Sequence, residues 1–491
     1  MKILFSGHEF KYEIEATAKL FIFAERFEFV FGAENLPENQ DYIASRLKKG
    51  KKYTWLYAWV SVDGKTFRKS AHISNNCENY RNSCELELCR LIYICLEKIT
   101  GISPEWGLLT GIRPVKRVSA LMDKGMTESE ISQFLYEKYN VSRKKSMLAF
   151  NTAVVQRPLI KNIRKNYVSL YISVPFCPTR CSYCSFVSHS MASASKLIPD
   201  YIRLLCRELE ILGDIVKNLD LKIDTVYFGG GTPTSLNPAQ LEILMKKTYE
   251  CFNLSEIREY NIEAGRPDTI TQQKLDTIKK LGATRISINP QTFNDNVLEI
   301  IGRHHNSEQT VNAFKLARKC GFENINMDII AGLPSDTNES FHKTIDKAVS
   351  LDPDSITVHT LTVKRSASLY QDGINTDNVS VSEMTDYAYN TLLKNNYYPY
   401  YLYRQKNTVE NLENIGYARK NKESLYNIYI MDEIQTILGA GCAASTKLVS
   451  PDGKIKRVHN YKFPYEYIKN FDELMKKKSE ITDFYKQFFN I

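Results

Sequence analysis

Three cysteines lie close together in the segment YISVPFCPTRCSYCSF. Cys177, Cys181 and Cys184 have the spacing C-x3-C-x2-C, in a loop that directly follows an apolar, β-branched run. A 4Fe–4S cluster normally takes one thiolate for each of its four irons. Three thiolates in one short loop can therefore hold three irons and leave the fourth open to chelate a ligand. The amino and carboxylate groups of S-adenosylmethionine suit such an open position.

A zinc site is the alternative interpretation of this loop. Structural zinc takes four protein ligands, and His189 follows Cys184 at a distance compatible with a Cys3His knuckle. The loop, however, precedes a long series of predicted strands and helices rather than a small autonomous finger. Three unmetallated thiols are a weaker hypothesis, because cysteines without a ligand role are usually buried and dispersed. The pattern therefore favours the cluster.

Polar or glycine-rich features recur near the ends of the later predicted strands. The run Gly229–Thr234 (GGGTPT) lets backbone approach a ligand closely, and it lacks the Gly-Lys-Ser/Thr ending of a phosphate-binding P-loop. The other features are single polar residues: Glu263, Gln291, Arg303, Asp328, His359 and Thr360. An active site of a parallel barrel forms where the carboxyl ends of its strands meet. The sequence therefore predicts one site at that rim.

Six short β-branched runs alternate with amphipathic stretches and would position these residues. Strands are expected at 168–174, 224–228, 259–264, 284–289, 324–330 and 355–360. Helices are expected at 194–218, 238–252, 271–281, 295–320 and 338–349. Parallel strands need such crossovers, so the pattern predicts an α/β fold with six βα-type repeats, either an open sheet or a barrel.

The flanks differ from this central region, which gives three predicted domains: 1–165, 166–395 and 396–491. The first predicts an α+β extension, with β-like runs at 12–32 and 52–63 and helices near 83–99 and 127–156. The third predicts a mixed region with a charged helical tail. Its run YYPYYLY (397–403) is typical of a half-buried strand, or else of an aromatic surface for a flat ligand.

The remaining cysteine-rich stretch lies in the first region. Cys84 and Cys95 fall on one face of a predicted helix, with Cys77 and Cys89 nearby. Their irregular spacing favours packing of a helix face over a second metal site. Arg113 and Lys116, in GLLTGIRPVK, fit either an anion site or a helix start.

The composition is that of an ordinary soluble protein, with 43% apolar and 25% charged residues. There is no apolar run of about 20 residues, and the N-terminus meets polar residues too early for a secretory signal, so no membrane span and a cytoplasmic location are expected. The net charge of +9 favours anionic ligands. No Lys/Arg-rich run is long enough for a nucleic-acid arm, so no nucleic-acid partner is expected.

These motifs together resemble the radical S-adenosylmethionine superfamily. More narrowly they resemble its oxygen-independent coproporphyrinogen III dehydrogenase group, and within that group the HemZ-type branch. The motifs that carry the resemblance are YISVPFCPTRCSYC, YFGGGTPTSL, NIEAGRPDTIT, RISINPQTFND, IGRHH and NMDIIAGLP, with GLLTGIRPVK before them and ENIGYARKNKESLYNIYIMDEIQTILGAGCAAS after them. The resemblance implies a partial (βα)6 barrel, an N-terminal α+β domain and a C-terminal mixed domain that covers the substrate.

The resemblance also implies residue roles. Cys177, Cys181 and Cys184 would hold the 4Fe–4S cluster, and Tyr171 and Tyr183 would flank it. The residues expected to contact S-adenosylmethionine are Gly230, Gly231 and Thr232 at its methionine end, and Glu263, Gln291, Arg303 and Asp328 elsewhere. Glu263 is also given a catalytic role. Of the adjacent His304 and His305, at most one is expected to face the site.

The leading functional hypothesis from the resemblance is anaerobic oxidative decarboxylation of coproporphyrinogen III in heme biosynthesis. An adenosyl radical would remove hydrogen from each of two propionates, giving two vinyl groups and protoporphyrinogen IX. A low-potential electron donor such as a flavodoxin or ferredoxin is implied. Arg266, Lys364 and Arg365 are expected as partners of substrate carboxylates.

Two positions depart from the best-known members of that group. Phe186 stands where they have a fourth cysteine, and Ser173 stands where they have a histidine. Heme-chaperone relatives also carry an aromatic residue at the position of Phe186. A heme-binding or heme-delivery protein is therefore the rival hypothesis, with Cys442 among the available ligands, and another radical reaction on a tetrapyrrole is a third.

Overall fold

The structure is a computed structural model that describes residues 1–22, 26–33, 35–109, 113–184, 189–362, 379–405 and 408–489. The chain forms two compact units. The first is mainly Met1–Phe150, and the second is mainly Asn151–Tyr403 and Glu413–Ile491. Among the described helices, none combines the length and the apolar character that crossing a bilayer requires.

The first unit is a five-stranded sheet covered by helices. Its strands are β1 (Lys2–Ser6), β2 (Glu28–Phe31), β3 (Tyr42–Lys49), β4 (Tyr53–Val62) and β5 (Lys65–Ser74). Its helices are α1 (Lys11–Ala18), α2 (Tyr80–Thr100), α3 (Pro114–Asp123), α4 (Glu128–Tyr139) and the start of α5 (Arg143–Lys161). The strand order is β2-β1-β3-β4-β5, with β1 parallel to both of its neighbours and β3, β4 and β5 antiparallel.

The prediction of β structure across 12–32 is wrong for its first part, which forms α1. Ile14, Thr17 and Ala18 are the buried residues of this helix, and their spacing of three and four places them on one face. The strand prediction holds only for Glu28–Phe31. Helical periodicity outweighed the high local content of aromatic and β-branched residues.

The cysteines of α2 pack inside the first unit. Cys84, Cys89 and Cys95 are buried with Leu88 and Ile92 in its apolar core. Burial raises the pKa of Cys95 to about 12, so its thiol stays protonated at neutral pH. These cysteines therefore serve as small apolar side chains, as the packing interpretation expects.

The second unit is built on one large sheet. The strands of its central part are β6 (Tyr167–Val174), β9 (Lys222–Gly230), β10 (Glu259–Glu263), β11 (Arg285–Ser287), β12 (Ile325–Ala331) and β13 (Ser355–Thr360), with the short β7 (Phe176–Cys177) and β8 (His189–Ser190) between the first two. All six central strands run parallel, in chain order from β6 to β13. These are the six predicted strands, shifted by at most two residues at their ends.

The helices of the second unit alternate with these strands. They are α6 (Met191–Ala194), α7 (Ile198–Asn218), α8 (Pro238–Cys251), α9 (Gln272–Lys280), α10 (Asp295–Ile300), α11 (Ser307–Lys319), α12 (Asn338–Ser350) and α13 (Val381–Lys394). The helices from α6 to α12 lie in the connections between successive parallel strands, as a βα barrel requires, and α13 follows the last of these strands. The helix expected at 295–320 is two helices, because the segment from Gly302 to Asn306 interrupts it.

The C-terminal region continues the same sheet at both edges. The added strands are β14 (Tyr398–Arg404), β15 (Glu413–Ala418), β16 (Ile437–Ala440), β17 (Ser445–Val449) and β18 (Ile455–His459). Over the described residues the sheet has eleven strands, in the order β14-β15-β13-β12-β11-β10-β9-β6-β16-β17-β18. The helices of this region are α14 (Leu425–Asp432), α15 (Pro464–Lys469), α16 (Phe471–Lys477) and α17 (Ser479–Phe489). The aromatic run 397–403 is largely the strand β14, the first of its two interpretations.

Candidate active site

The cysteine loop lies against the glycine turn that follows β9. The backbone N–H groups of Gly231 and Thr232 donate to the carbonyl oxygens of Val174 and Phe176, both at 2.8 Å. A Cβ added to Gly231 would lie 2.7 Å from the Phe176 oxygen and 3.0 Å from the Cys177 sulfur. Only glycine allows this close approach, so the turn and the first cysteine hold one another in place.

Polar contacts also join two of the loop's cysteines to the barrel. The hydroxyl of Thr232 is 3.4 Å from the sulfur of Cys177. Arg266, 3% exposed, directs Nη1 to the sulfur of Cys181 at 3.8 Å. The first and second cysteines of the loop are therefore each in polar contact with a residue of the barrel.

Arg266, an expected partner of a substrate carboxylate, is paired with an acid of this chain. Its Nε and Nη2 donate to the two carboxylate oxygens of Asp268 at 2.9 and 2.8 Å. A contact of Arg266 with substrate stays a prediction. The other predicted carboxylate partners, Lys364 and Arg365, lie outside the described residues, as does Phe186.

Tyr183 lies beside the thiols, as the resemblance implies. Its ring packs against Leu298 and Ile301. Burial, with Cys181 and Cys184 adjacent, raises the pKa of its phenol well above the usual range. Within the described ranges, no group of three or more His, Cys, Asp or Glu side chains is arranged to hold a single metal ion.

The inner face of the sheet is polar and encloses a cavity of about 490 Å³. Successive side chains of a strand alternate between its two faces, so residues two apart point the same way. The inward residues of the strands that line the cavity include Tyr171, Tyr227, Asn261, Glu263, Asn326, Asp328, Thr357 and His359. Five of the predicted site residues, Tyr171, Gly230, Glu263, Asp328 and His359, therefore share this cavity.

Other predicted residues lie elsewhere in the second unit. Gly231, Thr232, Gln291, Arg303 and the three cysteines are not among the lining residues of this cavity. The hydroxyl of Thr360 donates to the carbonyl oxygen of Glu413 at 2.7 Å and so connects β13 to β15. Thr360 therefore has a structural contact where the sequence suggested a site residue.

Three tyrosines form a stack on one wall of the cavity. The ring of Tyr227 lies 6.1 Å from that of Tyr171 and 4.5 Å from that of Tyr426, which α14 supplies. Burial raises the pKa of all three phenols above the usual range, so the stack is neutral. Glu259 anchors the start of α14 by accepting from the Ser424 hydroxyl at 2.7 Å and the Leu425 N–H at 2.6 Å.

Two carboxyl groups face the cavity next to this stack. Burial and the nearby charge of Asp328 raise the pKa of Glu263 to about 8, although Tyr227 and Arg303 act in the opposite direction. Asp328 accepts from the amide nitrogen of Asn326 at 2.7 Å. Its other oxygen is 3.9 Å from Nε2 of His359. Glu263 is therefore mostly protonated at neutral pH and can donate as well as accept.

Buried polar atoms without partners mark a place for a ligand. Arg303 is 5% exposed and donates through Nη2 to the carbonyl oxygen of Gly265 at 2.8 Å. Its Nε and Nη1, and Oε1 of Gln291, have no hydrogen-bond partner among the described residues. Such groups are costly, about 1–3 kcal/mol each, unless a ligand satisfies them. A guanidinium and an amide oxygen together fit the carboxylate and the ammonium of an amino acid.

The two histidines of IGRHH point in different directions. His304 is exposed and His305 is buried. Burial, with the guanidiniums of Arg303 and Arg266 nearby, lowers the pKa of His305 to about 3. As expected of adjacent residues, only one of the two turns inward, and it does so as a neutral imidazole.

The cavity also has a cationic side that the sequence did not reveal. Arg285, 1% exposed, donates to the side chain of Asn324 at 2.9 Å and to the carbonyl oxygen of Lys422 at 2.8 Å. Lys447 on β17 and Arg457 on β18 pair with Glu433, at 3.2 and 2.5 Å. All three cations line the cavity, with His459 beside them.

Comparison with known proteins identifies the family to which this chain belongs. Residues 171–348 match the family described as the Radical SAM superfamily. The chain is 39% identical over 390 residues to the "Oxygen-independent coproporphyrinogen-III oxidase-like protein HemZ" of Bacillus subtilis, and the match covers 78% of each protein. This chain belongs to the radical SAM superfamily, in its HemZ-type branch. Its cofactors are a 4Fe–4S cluster and S-adenosylmethionine.

Other relatives of this radical SAM protein have two different names. The "Heme chaperone HemW" of Bacillus subtilis is 36% identical over 203 residues, which cover 41% of this chain and 52% of that protein. The "Oxygen-independent coproporphyrinogen III oxidase" of Pseudomonas aeruginosa is 33% identical over 193 residues, which cover 39% of this chain and 41% of that protein.

The structure of "Coproporphyrinogen III oxidase (HemN) from Escherichia coli" shares the fold. It matches with a TM-score of 0.51 at 23% identity and covers 66% of this chain and 73% of that one.

Proposed function

We propose that this chain is an oxygen-independent coproporphyrinogen III dehydrogenase that converts two propionates to vinyl groups and releases protoporphyrinogen IX. The observation that carries the proposal is the cavity, whose lining combines three stacked tyrosines, two carboxyl groups and three cations. A tetrapyrrole with four carboxylates has complementary chemistry, since its rings suit an aromatic surface and its side chains suit cations. The name of the HemZ relative, a coproporphyrinogen-III oxidase-like protein, points in the same direction.

The cofactors would be held by the residues next to this cavity. Cys177, Cys181 and Cys184 hold the cluster in the proposal, beside Tyr183 and Tyr171. The contacts to S-adenosylmethionine are assigned to Gly230, Gly231, Thr232, Glu263, Gln291, Arg303 and Asp328. When bound, the two groups supply a carbon-centred radical that takes one hydrogen atom from the substrate.

The residues of the chain would bind and orient S-adenosylmethionine and exclude water from the cavity. The unpaired Nε and Nη1 of Arg303 can donate to the methionine carboxylate, and Oε1 of Gln291 can accept from the ammonium. Asp328 can accept from ribose hydroxyls, and Glu263 can donate while it keeps its proton. The stacked tyrosines exclude water from one wall of the cavity.

The reaction balances with one electron acceptor per propionate. Each propionate would lose one hydrogen atom from the carbon adjacent to the macrocycle, and its carbon–carboxylate bond would then break to release carbon dioxide. One electron leaves for an acceptor, and the vinyl double bond remains. Two turns use two molecules of S-adenosylmethionine, and a low-potential donor such as a flavodoxin or ferredoxin would supply the electron that starts each one.

An anaerobic assay with coproporphyrinogen III tests this proposal. Reconstituted protein with dithionite and S-adenosylmethionine is expected to give 5′-deoxyadenosine together with mono- and divinyl products in the mass spectrum. Cleavage of S-adenosylmethionine without any vinyl product would contradict the substrate assignment. A parallel incubation with heme detects methyl transfer or ring opening by product mass.

Binding and delivery of heme is the second candidate function. The relatives named heme chaperone favour it, as do His359 and His459, two imidazoles that line the same cavity. It predicts a saturable, stoichiometric heme spectrum that His359→Ala weakens, and no decarboxylation. A titration that never saturates would remove this candidate.

Substitution of the cavity cations tests where the carboxylates bind. The double variant Lys447→Gln/Arg457→Gln is expected to raise KM for coproporphyrinogen III by about tenfold, because partly buried charge-assisted bonds contribute about 1.5–3 kcal/mol. In the free protein Glu433 occupies these cations, so a substrate carboxylate exchanges with a group of equal charge.

The matched control for this double variant is Lys454→Gln, at the exposed turn between β17 and β18. It is expected to leave KM unchanged. Equal KM values in the double variant and the wild type would place the substrate carboxylates elsewhere.

A further inference from the structure

Most of the net charge of the chain lies in one stretch of the first unit. Residues 46–72 contain eight lysines and arginines and a single acidic residue, Asp63, which gives a net charge of +7 in a chain whose total is +9. Four of the lysines, Lys48, Lys49, Lys51 and Lys52, surround the turn between β3 and β4 and are exposed. The positive potential of the protein is therefore concentrated on these strands.

Strand register places three of these eight cations, Arg46, Lys48 and Arg68, on the same face as a row of aromatic rings. Arg46 of β3 pairs with Tyr57 of β4, and Lys48 pairs with Trp55. On the other side of β4, Arg68 of β5 pairs with Trp59. Directly paired residues point to the same face of a sheet, and residues two apart do so as well.

The opposite face of the sheet is the apolar core of the first unit. Leu56, Ala58 and Val60 of β4 alternate with the aromatic residues and are fully buried with residues of α2. Tyr53 and Trp55 are 47% and 45% exposed. Tyr53 and Trp55 therefore lie outside this core, whereas Trp59 packs against a small buried cluster of Leu4, Tyr42 and Ala44.

The rings on this face form two groups of contacting rings along β4. Tyr57 and Trp59 stack with their centroids 5.5 Å apart, and His72 lies 5.1 Å from both Tyr53 and Trp55. The guanidinium of Arg46 lies over Trp59, 5.8 Å from its ring. The rings of β4 therefore lie between cations of β3 and β5, an arrangement on which flat, anionic ligands could stack.

We propose that this face binds single-stranded nucleic acid, with the phosphates on the lysines and arginines and the bases stacked on the rings of β4. Stacking on aromatic side chains tolerates any base, and a basic groove follows the phosphate backbone of a single strand. A sheet face with exposed aromatics is a known kind of platform for unpaired RNA bases. This inference is independent of the tetrapyrrole proposal, because it uses residues of the first unit only.

An anionic membrane is another polyanion that a basic, aromatic face could bind. The composition of this face favours nucleic acid over a membrane. The exposed part of this face carries hydroxyl groups between the rings and cations, namely Ser61, Thr66, Ser70 and Ser74, and its aliphatic residues Leu4 and Ala44 are buried. A helix or sheet that enters a bilayer presents aliphatic side chains along with its aromatic ones. Hydroxyls can donate to phosphates and sugars instead.

This surface was not predicted from the sequence, because its basic residues do not form one continuous run. In β3, β4 and β5 the cations and rings are separated by core residues, and the pairing of three strands brings them together. The expectation of no nucleic-acid partner depended on the absence of such a run. The pairing of the three strands therefore shows a basic, aromatic surface that the order of residues along the chain does not.

Fluorescence titration of the full-length protein with a labelled oligouridylate of about 12 nucleotides tests the proposal. Binding at low salt is expected, with a slope of log K against log salt of about −0.7 for each phosphate contacted. Trp55→Ala is expected to weaken binding about tenfold, since stacking contributes about 1–3 kcal/mol per base. Lys48→Gln/Arg68→Gln is expected to weaken it and to reduce the slope by about 1.4.

Control variants test whether binding requires this face rather than any exposed ring or cation, and vesicles test whether the face binds lipid instead. Tyr136→Ala removes a 63% exposed aromatic ring of the same unit away from the sheet, and Lys124→Gln removes an exposed cation; both should bind as the wild type does. Circular dichroism verifies the fold of each variant. Equal weakening by the controls, no binding at low salt, or variant-sensitive binding to phosphatidylserine vesicles without binding to the oligonucleotide would overturn the proposal.

Discussion

Replacing Cys181 with serine is expected to abolish both cluster binding and cleavage of S-adenosylmethionine. Three thiolates are the smallest set that can hold three irons of a 4Fe–4S cluster, and a serine oxygen is a poor substitute for a soft thiolate ligand. The measurements are iron and sulfide per chain after anaerobic reconstitution, and formation of 5′-deoxyadenosine. Both should fall to the level of a protein-free blank.

Cys320→Ser is the matched control for this prediction. Cys320 is also half-buried and belongs to the same unit, but its sulfur accepts a hydrogen bond from Gln272 at 3.0 Å, far along the chain from the cysteine loop. Its variant should keep full iron, sulfide and activity. One zinc per chain and no iron in the reconstituted wild type would instead support the Cys3His interpretation with His189.

The central strands could be predicted because their signal is local. Each is a short apolar, β-branched run between helical stretches, and parallel order follows from the crossovers. The cysteine loop and the glycine turn follow adjacent strands, so their contact at one rim also follows from the topology. The break between α10 and α11 was not visible, because Gly302 with its φ of +75° ends a helix inside an otherwise helical pattern.

The cavity walls were harder to predict because they depend on distant parts of the chain. Tyr227 could have been found from the period of two, since it lies two residues before Gly229 on the inward face of β9. Tyr426, Lys447 and Arg457 come from the C-terminal region, whose strands join the barrel sheet at its far edge. Local periodicity does not predict which edge of a sheet a later strand joins, so the contribution of these residues to the site could be seen only in the folded structure.

Glu263 links the chemistry of the cavity to the stability of the protein. The folded protein keeps its proton up to a pKa of about 8, whereas the unfolded chain releases it near the ordinary value of 4.5. Between these values the unfolded state binds fewer protons, so the free energy of unfolding falls as pH rises. Asp328 adds to the effect, because a second carboxylate in the same cavity disfavours the charged form of the first.

The cofactor-free protein should therefore lose stability from pH 5 to pH 9, and Glu263→Gln should remove most of that loss. One pKa unit corresponds to about 1.4 kcal/mol, so the contribution of this one group is about 4 kcal/mol across the range. Urea unfolding at a series of pH values measures it. Glu299→Gln, on an exposed position of α10, should keep the wild-type pH dependence. Parallel curves for the wild type and Glu263→Gln would mean that the carboxylate is already ionised at neutral pH, and that cofactor contacts at this position begin from a charged group.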